Sequence, residues 1–295
     1  MQVHSFMITV KDALERAVST LAQPGQPGSR LDAQVLLGHV LNVDRATLYA
    51  YPERLLTPEQ EEQFQLLLER RKQDEPIAYL VGHKEFFGLD FLVDKRVLIP
   101  RPETELLVEA ALNSIRAMLD GGHTPLVADI GTGSGVIPIT LAVQEPRLPY
   151  LYATDLSTEA LEVARLNCQL HSVEQRVRLL HGDLLAPLPE PVDVLTANLP
   201  YVGTEEMALL TPDVRDYEPH VALFSGTHGL DLLQRFFTAA QQSGKLKEHA
   251  LLLLEIGYQQ REPLKRLLSK LWPQAAVTFA KDYAGWDRLL KIEVK

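Results

Sequence analysis

The sequence predicts an α/β fold, in which a mostly parallel sheet with an antiparallel edge hairpin follows a small N-terminal helical bundle and a β-hairpin linker. Three observations lead to this prediction. Apolar residues recur at helical spacing in the first part of the chain, aromatic residues then surround turn formers, and short apolar segments finally alternate with helical ones. We expect a bundle over residues 1–80, a linker over 81–102 and an α/β domain over 103–295.

Helical signals dominate the bundle. Apolar residues recur every three or four positions over residues 31–41. Thr57 begins a capping-box pattern, with Pro58 in the first helical turn and Gln60 three positions after the cap. The Pro- and Gly-rich residues 22–29 predict a loop between helices.

The linker has a different pattern. Apolar residues over 85–99 surround Gly88 and Asp94, which favour turns, so this stretch predicts a β-hairpin. Pro100 and Pro102 close the linker, because proline fixes its own φ and biases the preceding residue away from helix.

The α/β domain shows short apolar strands with helical segments between most of them, which is typical of a parallel sheet covered on both faces. The predicted strands cover residues 126–130, 151–155, 177–181, 192–197 and 251–256. Two later segments, 276–280 and 289–294, flank a polar turn and predict an antiparallel pair at one edge of the sheet.

Composition restricts the functions that the chain can have. The net charge is −10, and acidic residues outnumber basic ones on both sides of residue 100, which argues against broad binding to nucleic acid. The apolar runs are too short to span a bilayer, and no secretory signal is recognisable. Cys168 is the sole cysteine, and the histidines lack metal-ligand spacing. We expect a cytoplasmic monomer that holds no metal and binds neither nucleic acid nor membrane.

The first strand of the α/β domain ends in a glycine-rich loop, residues 129–135. Glycines permit a tight turn and a close approach of ligand to backbone. Such loops also bind dinucleotides and phosphates, but the dinucleotide pattern needs glycine where Val136 stands, and a P-loop needs a lysine followed by Ser or Thr. The candidate ligand-binding residues here are Asp129, Gly131, Thr132, Gly133, Ser134 and Gly135.

The Gly-x-Gly-x-Gly form, with an acid two residues before its first glycine, resembles motif I of the Rossmann-like class I S-adenosylmethionine methyltransferases. The resemblance implies S-adenosylmethionine as cofactor and S-adenosylhomocysteine as product. It also implies that Asp155, at the end of the second strand, accepts hydrogen bonds from the ribose hydroxyls. Asp183, after the third strand, would lie near the adenine, and Leu184 would pack against the ring.

The fourth strand leads into Asn198-Leu199-Pro200-Tyr201, which resembles the Asn-Pro-Pro-Tyr motif of methyltransferases that act on planar nitrogens. The resemblance implies that the Asn198 side-chain oxygen and the residue 199 carbonyl accept the two hydrogens of the substrate NH₂. Tyr201 would pack against its planar group, and Asn198 is also a candidate cofactor contact. Leu199 replaces the first proline of the motif, so a fixed φ is lost. The alternative is a strand-to-loop turn in a methyltransferase with different chemistry.

Further segments resemble the HemK-type family of peptide-chain release factor glutamine N5-methyltransferases. They are residues 32–37, 70–71, 75–80, 82, 85–88, 98–105, 218–219, 222–223, 229–230, 254–257 and 282–288. The resemblance implies methylation of the glutamine in the Gly-Gly-Gln motif of class 1 release factors, docked in part by the bundle. It also implies that residues 99–103 line the methionine end of the cofactor site.

Three alternatives stay open at this point. The acceptor could be a glutamine of a ribosomal protein, since the chemistry would be the same. It could be an exocyclic amine of a nucleic acid, which shares the acceptor motif but is disfavoured by the acidic charge. Finally, Leu199 could mark a homologue that binds the cofactor and a partner without transferring methyl.

Overall fold

The computed structural model describes residues 8–22 and 28–295, and the chain divides into two compact units. One unit comprises Met1–Gly82 with Thr211–Tyr217, and the other comprises His83–Leu210 with Glu218–Lys295. The core of the predicted interhelical loop, residues 23–27, lies outside the described residues.

The helices are, in chain order, α1 (Val10–Leu21), α2 (Ser29–Leu41), α3 (Arg45–Ala50), α4 (Pro58–Lys72), α5 (Ile77–Val81), α6 (Thr104–Asp120), α7 (Val136–Gln144), α8 (Thr158–Leu170), α9 (Pro212–Tyr217), α10 (Asp231–Gln242) and α11 (Arg261–Leu271). The strands are β1 (His83–Phe86), β2 (Leu89–Leu92), β3 (Val127–Ile130), β4 (Leu151–Asp155), β5 (Val177–His181), β6 (Val192–Ala197), β7 (Leu246–Glu255), β8 (Ala276–Lys281) and β9 (Asp287–Glu293). Short 3-10 helices cover Thr204–Leu209 and His220–Ala222.

The first unit is helical, as its apolar spacing predicts. Leu36, Phe64 and Leu68 are fully buried in its core. The capping box of α4 is confirmed, because the Thr57 hydroxyl accepts a hydrogen bond from the Gln60 N–H while the Gln60 side chain accepts one from the Thr57 N–H. These two bonds satisfy donors that the first helical turn leaves free.

The basic cluster at the end of α4 is paired with acids of the same unit. Arg71 contacts Asp32 at 2.8 Å, Arg70 contacts Glu75 at 2.6 Å, and Lys72 contacts Glu69 at 3.2 Å. Each positive charge therefore has a carboxylate beside it.

The second unit contains a seven-stranded sheet in the order β5-β4-β3-β6-β7-β9-β8. The first five strands of this order are parallel, and β9 pairs antiparallel with both β7 and β8. The predicted parallel sheet with an antiparallel edge pair is confirmed. The predicted strand at 251–256 differs in extent, because β7 begins five residues earlier, at Leu246, where it pairs with Val192.

Helices cover both faces of this sheet. On one face α6 and α7 contribute Leu107, Val108 and Ile139 to a buried cluster. On the other, α10 and α11 contribute Phe236 and Leu268 to a second cluster. The central strands β3, β4 and β6 are buried on both faces, which explains their continuous apolar runs.

The predicted linker hairpin forms, but it belongs to the second unit rather than standing apart. Phe86 and Phe91 are buried in the same cluster as α6. The turn is made by Phe87 and Gly88, both with positive φ. The hairpin runs from His83 to Leu92, so Asp94 lies beyond it. The aromatic residues that signal the hairpin are the ones that attach it to the domain core.

Asn167 of α8 connects this hairpin to the glycine-rich loop. Its side-chain oxygen accepts from the Leu92 N–H at 2.7 Å, and its amide nitrogen donates to the carbonyls of Leu92 at 3.0 Å and Ser134 at 2.9 Å. Asn167 is fully buried, so a substitution leaves these backbone groups without water or protein partners.

We predict that Asn167→Leu lowers the free energy of unfolding by about 3 kcal/mol, because three buried hydrogen bonds are lost while the volume is kept. Urea denaturation measures the effect, with Asn113→Leu on the exposed face of α6 as the control. Equal unfolding midpoints for the parent and Asn167→Leu would contradict it.

Candidate functional site

The glycine-rich loop joins β3 to α7 and has three residues in the left-handed region, Gly131 (φ 73°), Gly133 (φ 56°) and Gly135 (φ 83°). A Cβ on Gly131 would also lie 2.8 Å from Leu199 Cδ2, whereas a Cβ on Gly133 would meet nothing within 4 Å. The loop therefore needs glycine for its backbone conformation, and beside Gly133 it leaves open space.

Asp155 holds this loop in place. One carboxylate oxygen accepts from the Gly133 N–H at 2.8 Å, and the other accepts from the Ser157 N–H at 2.9 Å. Burial raises the pKa of Asp155, while these backbone hydrogen bonds oppose the rise. The loop-holding contact was not part of the sequence prediction, which assigned Asp155 to a ligand alone.

Asp129 lies beneath the loop, fully buried. Its Oδ1 accepts from the Thr196 hydroxyl at 2.7 Å. Over residues 8–22 and 28–295, its Oδ2 and the Thr132 hydroxyl are buried without a hydrogen-bond partner. Burial raises the pKa of Asp129 to about 7, and the Thr196 hydrogen bond opposes that shift only in part.

A cavity of about 550 Å³ opens beside the loop, a size suited to a small-molecule ligand. Most of the predicted site residues line it, namely Gly131, Thr132, Gly133, Ser134, Asp155, Asp183, Leu184, Asn198, Leu199 and Pro200. Asp129, Gly135 and Tyr201 are not part of its wall. The structure thus brings together residues from four strand ends in one cavity.

The cavity wall also contains residues that the sequence did not single out. Ser157 and Ala160 come from the start of α8, Phe224 from the segment before α10, and Arg235 from α10 itself. Arg235 pairs with Asp183 at 2.7 Å, and both side chains are half exposed. No local motif marks these residues, because they reach the cavity through the packing of α8 and α10.

A buried acid fixes the linker segment against the cavity. Glu218, whose side chain is 1% exposed, contacts Arg101 at 2.5 Å and accepts from the Ile99 N–H at 3.2 Å. Pro100, Arg101 and Thr104 line the cavity. Three residues of the segment predicted to line it, Ile99, Pro102 and Glu103, are outside the wall.

The Asn198 side chain is held by two neighbours. Its amide nitrogen donates to the Thr104 hydroxyl at 3.1 Å and to Glu255 Oε2 at 3.0 Å. This arrangement places the nitrogen against the protein and leaves Oδ1 without a protein partner in the part of the chain that the structure describes. A carbonyl oxygen is therefore available as an acceptor at the cavity wall.

The rest of the acceptor loop is equally restrained. Leu199 is 3% exposed and packs against Gly131, so burial immobilises the residue that replaces proline. The Tyr201 hydroxyl donates to Glu255 Oε1 at 3.0 Å, and burial raises the pKa of Tyr201. The buried Gln260 side chain donates to the Tyr201 carbonyl at 3.1 Å.

The sequence analysis assigned no role to Thr104, Glu255 or Gln260. For Glu255 a signal was present, since a charged residue directly follows the apolar run Ala250–Leu254 of a buried strand. Charged side chains are rarely fully buried unless a partner stabilises them.

We predict a pH effect of Asp129 on stability. Its pKa is raised from 3.8 to about 7 in the folded chain, so between these values the folded state holds a proton that the unfolded state has lost, and stability falls as pH rises. The Asp129→Asn side chain stays neutral at every pH. From pH 5 to pH 8 the free energy of unfolding of the parent should therefore fall by on the order of 3 kcal/mol more than that of the variant.

Urea denaturation at the two pH values measures this difference. Glu109→Gln, at an exposed position of α6, is the matched control and should behave as the parent does. The same pH dependence in the parent and in Asp129→Asn would show that Asp129 is ionised throughout.

Comparison with known proteins places this site in a family. Residues 12–82 match the PrmC N-terminal domain, and residues 104–211 match the methyltransferase small domain. The chain is 42% identical over 282 residues to the release factor glutamine methyltransferase of Moorella thermoacetica, covering 95% of this chain and 97% of that one. It is 40% identical over 264 residues to the protein of the same name from Koribacter versatilis, covering 88% and 91%.

A solved methyltransferase from Pyrococcus furiosus is similar in fold, with a TM-score of 0.50 at 19% identity, covering 78% of this chain and 96% of that chain. The fold is thus that of a methyltransferase, and the sequence similarity extends through both units. From these matches the chain belongs to the release factor glutamine methyltransferase family.

Proposed function

We propose that this protein transfers the methyl group of S-adenosylmethionine to the side-chain amide nitrogen of the glutamine in the Gly-Gly-Gln motif of a class 1 peptide-chain release factor. The observation that carries the proposal is the Asn198 amide, held with its oxygen free at the wall of a cavity that the glycine-rich loop also lines. The names of the relatives support the choice of a release factor as substrate.

The residues around the glycine-rich loop fit S-adenosylmethionine. Gly133 leaves open space for a ligand close to the backbone, and Asp155 and Asp183 are carboxylates at the cavity wall that can accept from hydroxyl and amine groups. Leu184 offers an apolar surface for a planar ring. Asp129 does not line the cavity. It lies beneath the loop, where it accepts a hydrogen bond from the Thr196 hydroxyl.

The cofactor would supply a methyl group on a sulfonium, which is a strong electrophile, and would leave as S-adenosylhomocysteine. The protein's task is then to present a weak nucleophile, because the amide nitrogen lone pair is delocalised into the carbonyl. Asn198 Oδ1 and the Leu199 carbonyl accept the two N–H hydrogens and hold the NH₂ group. The substrate nitrogen that receives the methyl group would lose one proton to solvent during or after the transfer. Positioning and fixed dipoles provide most of the rate acceleration.

Leu199 is compatible with this role. The proposed contact uses the backbone carbonyl, which leucine and proline share. The restraint that proline would provide comes instead from the burial of Leu199 against Gly131 and from the contact between Gln260 and the Tyr201 carbonyl. We therefore propose that the chain is an active transferase.

The N-terminal unit serves, in this proposal, to dock the release factor. It matches the PrmC N-terminal domain over residues 12–82, a stretch separate from the methyltransferase match over residues 104–211. We further propose that the protein acts as a cytoplasmic monomer, without metal, on a protein substrate and not on nucleic acid.

The test is intact-mass analysis of purified substrates after incubation with the protein and S-adenosylmethionine. We predict a gain of one methyl group on the release factor, and none on a release factor whose Gly-Gly-Gln glutamine is replaced by alanine. Methylation of a ribosomal protein or of nucleic acid in place of the release factor would refute the proposed substrate. An inactive parent beside an active Leu199→Pro variant would show that transfer has been lost.

We predict that Asn198→Ala lowers kcat by at least about 100-fold, because an acceptor aimed at the reacting amide is removed. The Kd for S-adenosylhomocysteine, measured by calorimetry, should change less than about twofold, since the other cavity residues are intact. Asn113→Ala is the matched control. Parent-like turnover in Asn198→Ala would contradict the role of the amide.

A further inference from the structure

The carboxylate of Glu255 lies at the centre of the acceptor region. Glu255 ends β7, is 2% exposed and accepts three hydrogen bonds. Its Oε2 accepts from the Thr104 hydroxyl at 2.6 Å and from the Asn198 amide nitrogen at 3.0 Å. Its Oε1 accepts from the Tyr201 hydroxyl at 3.0 Å. One side chain thus contacts two residues of the acceptor motif and a residue of α6.

We propose that Glu255 is the positioning residue of the acceptor site, which determines that the oxygen and not the nitrogen of the Asn198 amide faces the cavity. This inference rests on the proposed function for its catalytic consequence, but the orientation itself is a property of the protein. Glu255 does not line the cavity, so it acts on the substrate site through Asn198.

The orientation of the Asn198 amide follows from which neighbours can accept a hydrogen bond. Glu255 Oε2 already accepts from the Thr104 hydroxyl, and Thr104 donates its single hydroxyl hydrogen there, so it offers Asn198 only lone pairs. Both neighbours of the amide nitrogen are therefore acceptors. A reversed amide would place Asn198 Oδ1 against two acceptors and point an N–H₂ donor into the cavity, where it could not accept from a substrate NH₂.

The electrostatic surroundings favour a positioning role over a stabilising one. Burial raises the pKa of Glu255, and the hydrogen bonds from Thr104 and Tyr201, with a smaller effect of Arg288, oppose the rise. Among residues 8–22 and 28–295, no ion pair neutralises Glu255, and Arg288 contacts Asp282 instead. Burying a carboxylate without an ion pair lowers the stability of the folded state. Its acceptor oxygens, in contrast, orient the Asn198 amide.

Two substitutions of Glu255 distinguish the effect of losing hydrogen-bond acceptors from the effect of changing side-chain volume. Glu255→Leu removes both acceptor oxygens at similar size. Glu255→Gln keeps one acceptor, which can face Thr104 and Asn198 while its NH₂ donates to the Tyr201 hydroxyl oxygen. Glu248→Leu, at an exposed position of the same strand, is the matched control.

We expect Glu255→Leu to lower kcat by about 30-fold or more with little change in the Kd for S-adenosylhomocysteine, and Glu255→Gln to retain at least about a fifth of the parent kcat. The double variant Glu255→Leu/Asn198→Ala should be no slower than Asn198→Ala alone, because the two residues act as one unit. Multiplicative losses in the double variant, or parent-like turnover in Glu255→Leu, would overturn the proposal.

Hydrogen exchange of the Asn198 side-chain NH₂ can be measured by ¹⁵N NMR without any activity assay. Its signals are identified because they are absent from the spectrum of Asn198→Ala. Hydrogen exchange of this group should be slow in the parent and in Glu255→Gln, and accelerated in Glu255→Leu. Unchanged exchange would overturn the proposal even if the protein methylated a different substrate. Slow exchange in a parent that methylates nothing would instead refute the proposed function alone.

If Glu255→Leu fails to fold, Thr104→Val replaces it. This substitution keeps the shape of the side chain and removes its hydroxyl from the same network. We expect accelerated exchange of the Asn198 NH₂ and a lower kcat with an unchanged Kd for S-adenosylhomocysteine. Parent-like exchange and kcat in Thr104→Val would count against the network as the determinant of orientation.

Discussion

The parallel pairing of β3 with β4 on one side and β6 on the other is the constraint on which the site depends. Ile130 is paired with Thr154 in β4 and with Ala197 in β6. The residues that follow each strand end, Gly131 and Asn198 among them, consequently emerge at the same level of the sheet. This is the usual location of ligand sites in open parallel sheets, outside the carboxyl ends of the strands and where the strand order reverses, here between β3 and β6.

Acidic side chains keep these strand ends in place. Asp155 holds the Gly133 backbone, Glu218 holds the segment that carries Arg101, and Glu255 holds Asn198. Glu218 and Glu255 are buried, and their hydrogen bonds go to protein groups that form the site. The cost of burying a charge is offset by hydrogen bonds, and the benefit is a site whose geometry is set before a ligand arrives.

The predicted strands agree with the structure closely because a parallel sheet covered on both faces requires apolar runs, and those runs are visible in sequence. The extension of β7 back to Leu246 was not predictable by this route, since the three residues after Leu246 are polar and exposed. The hairpin was predictable from Gly88 and its aromatic neighbours. Its attachment to the second unit was not, because the aromatic residues pack against α6 and Leu92 is bonded by Asn167, which is 75 residues away in sequence.

By itself the sequence determined the residues that can do chemistry at the strand ends, since the glycine spacing of the loop from Gly131 to Gly135 and the acceptor motif at Asn198 are local patterns. Only the tertiary structure decided how these residues are oriented. Thr104 and Glu255 are 94 and 57 residues from Asn198, and the direction of its amide follows from which atoms they present to it. Hydrogen-bond direction is a property of three-dimensional neighbours, and it leaves no periodic or compositional trace along a chain.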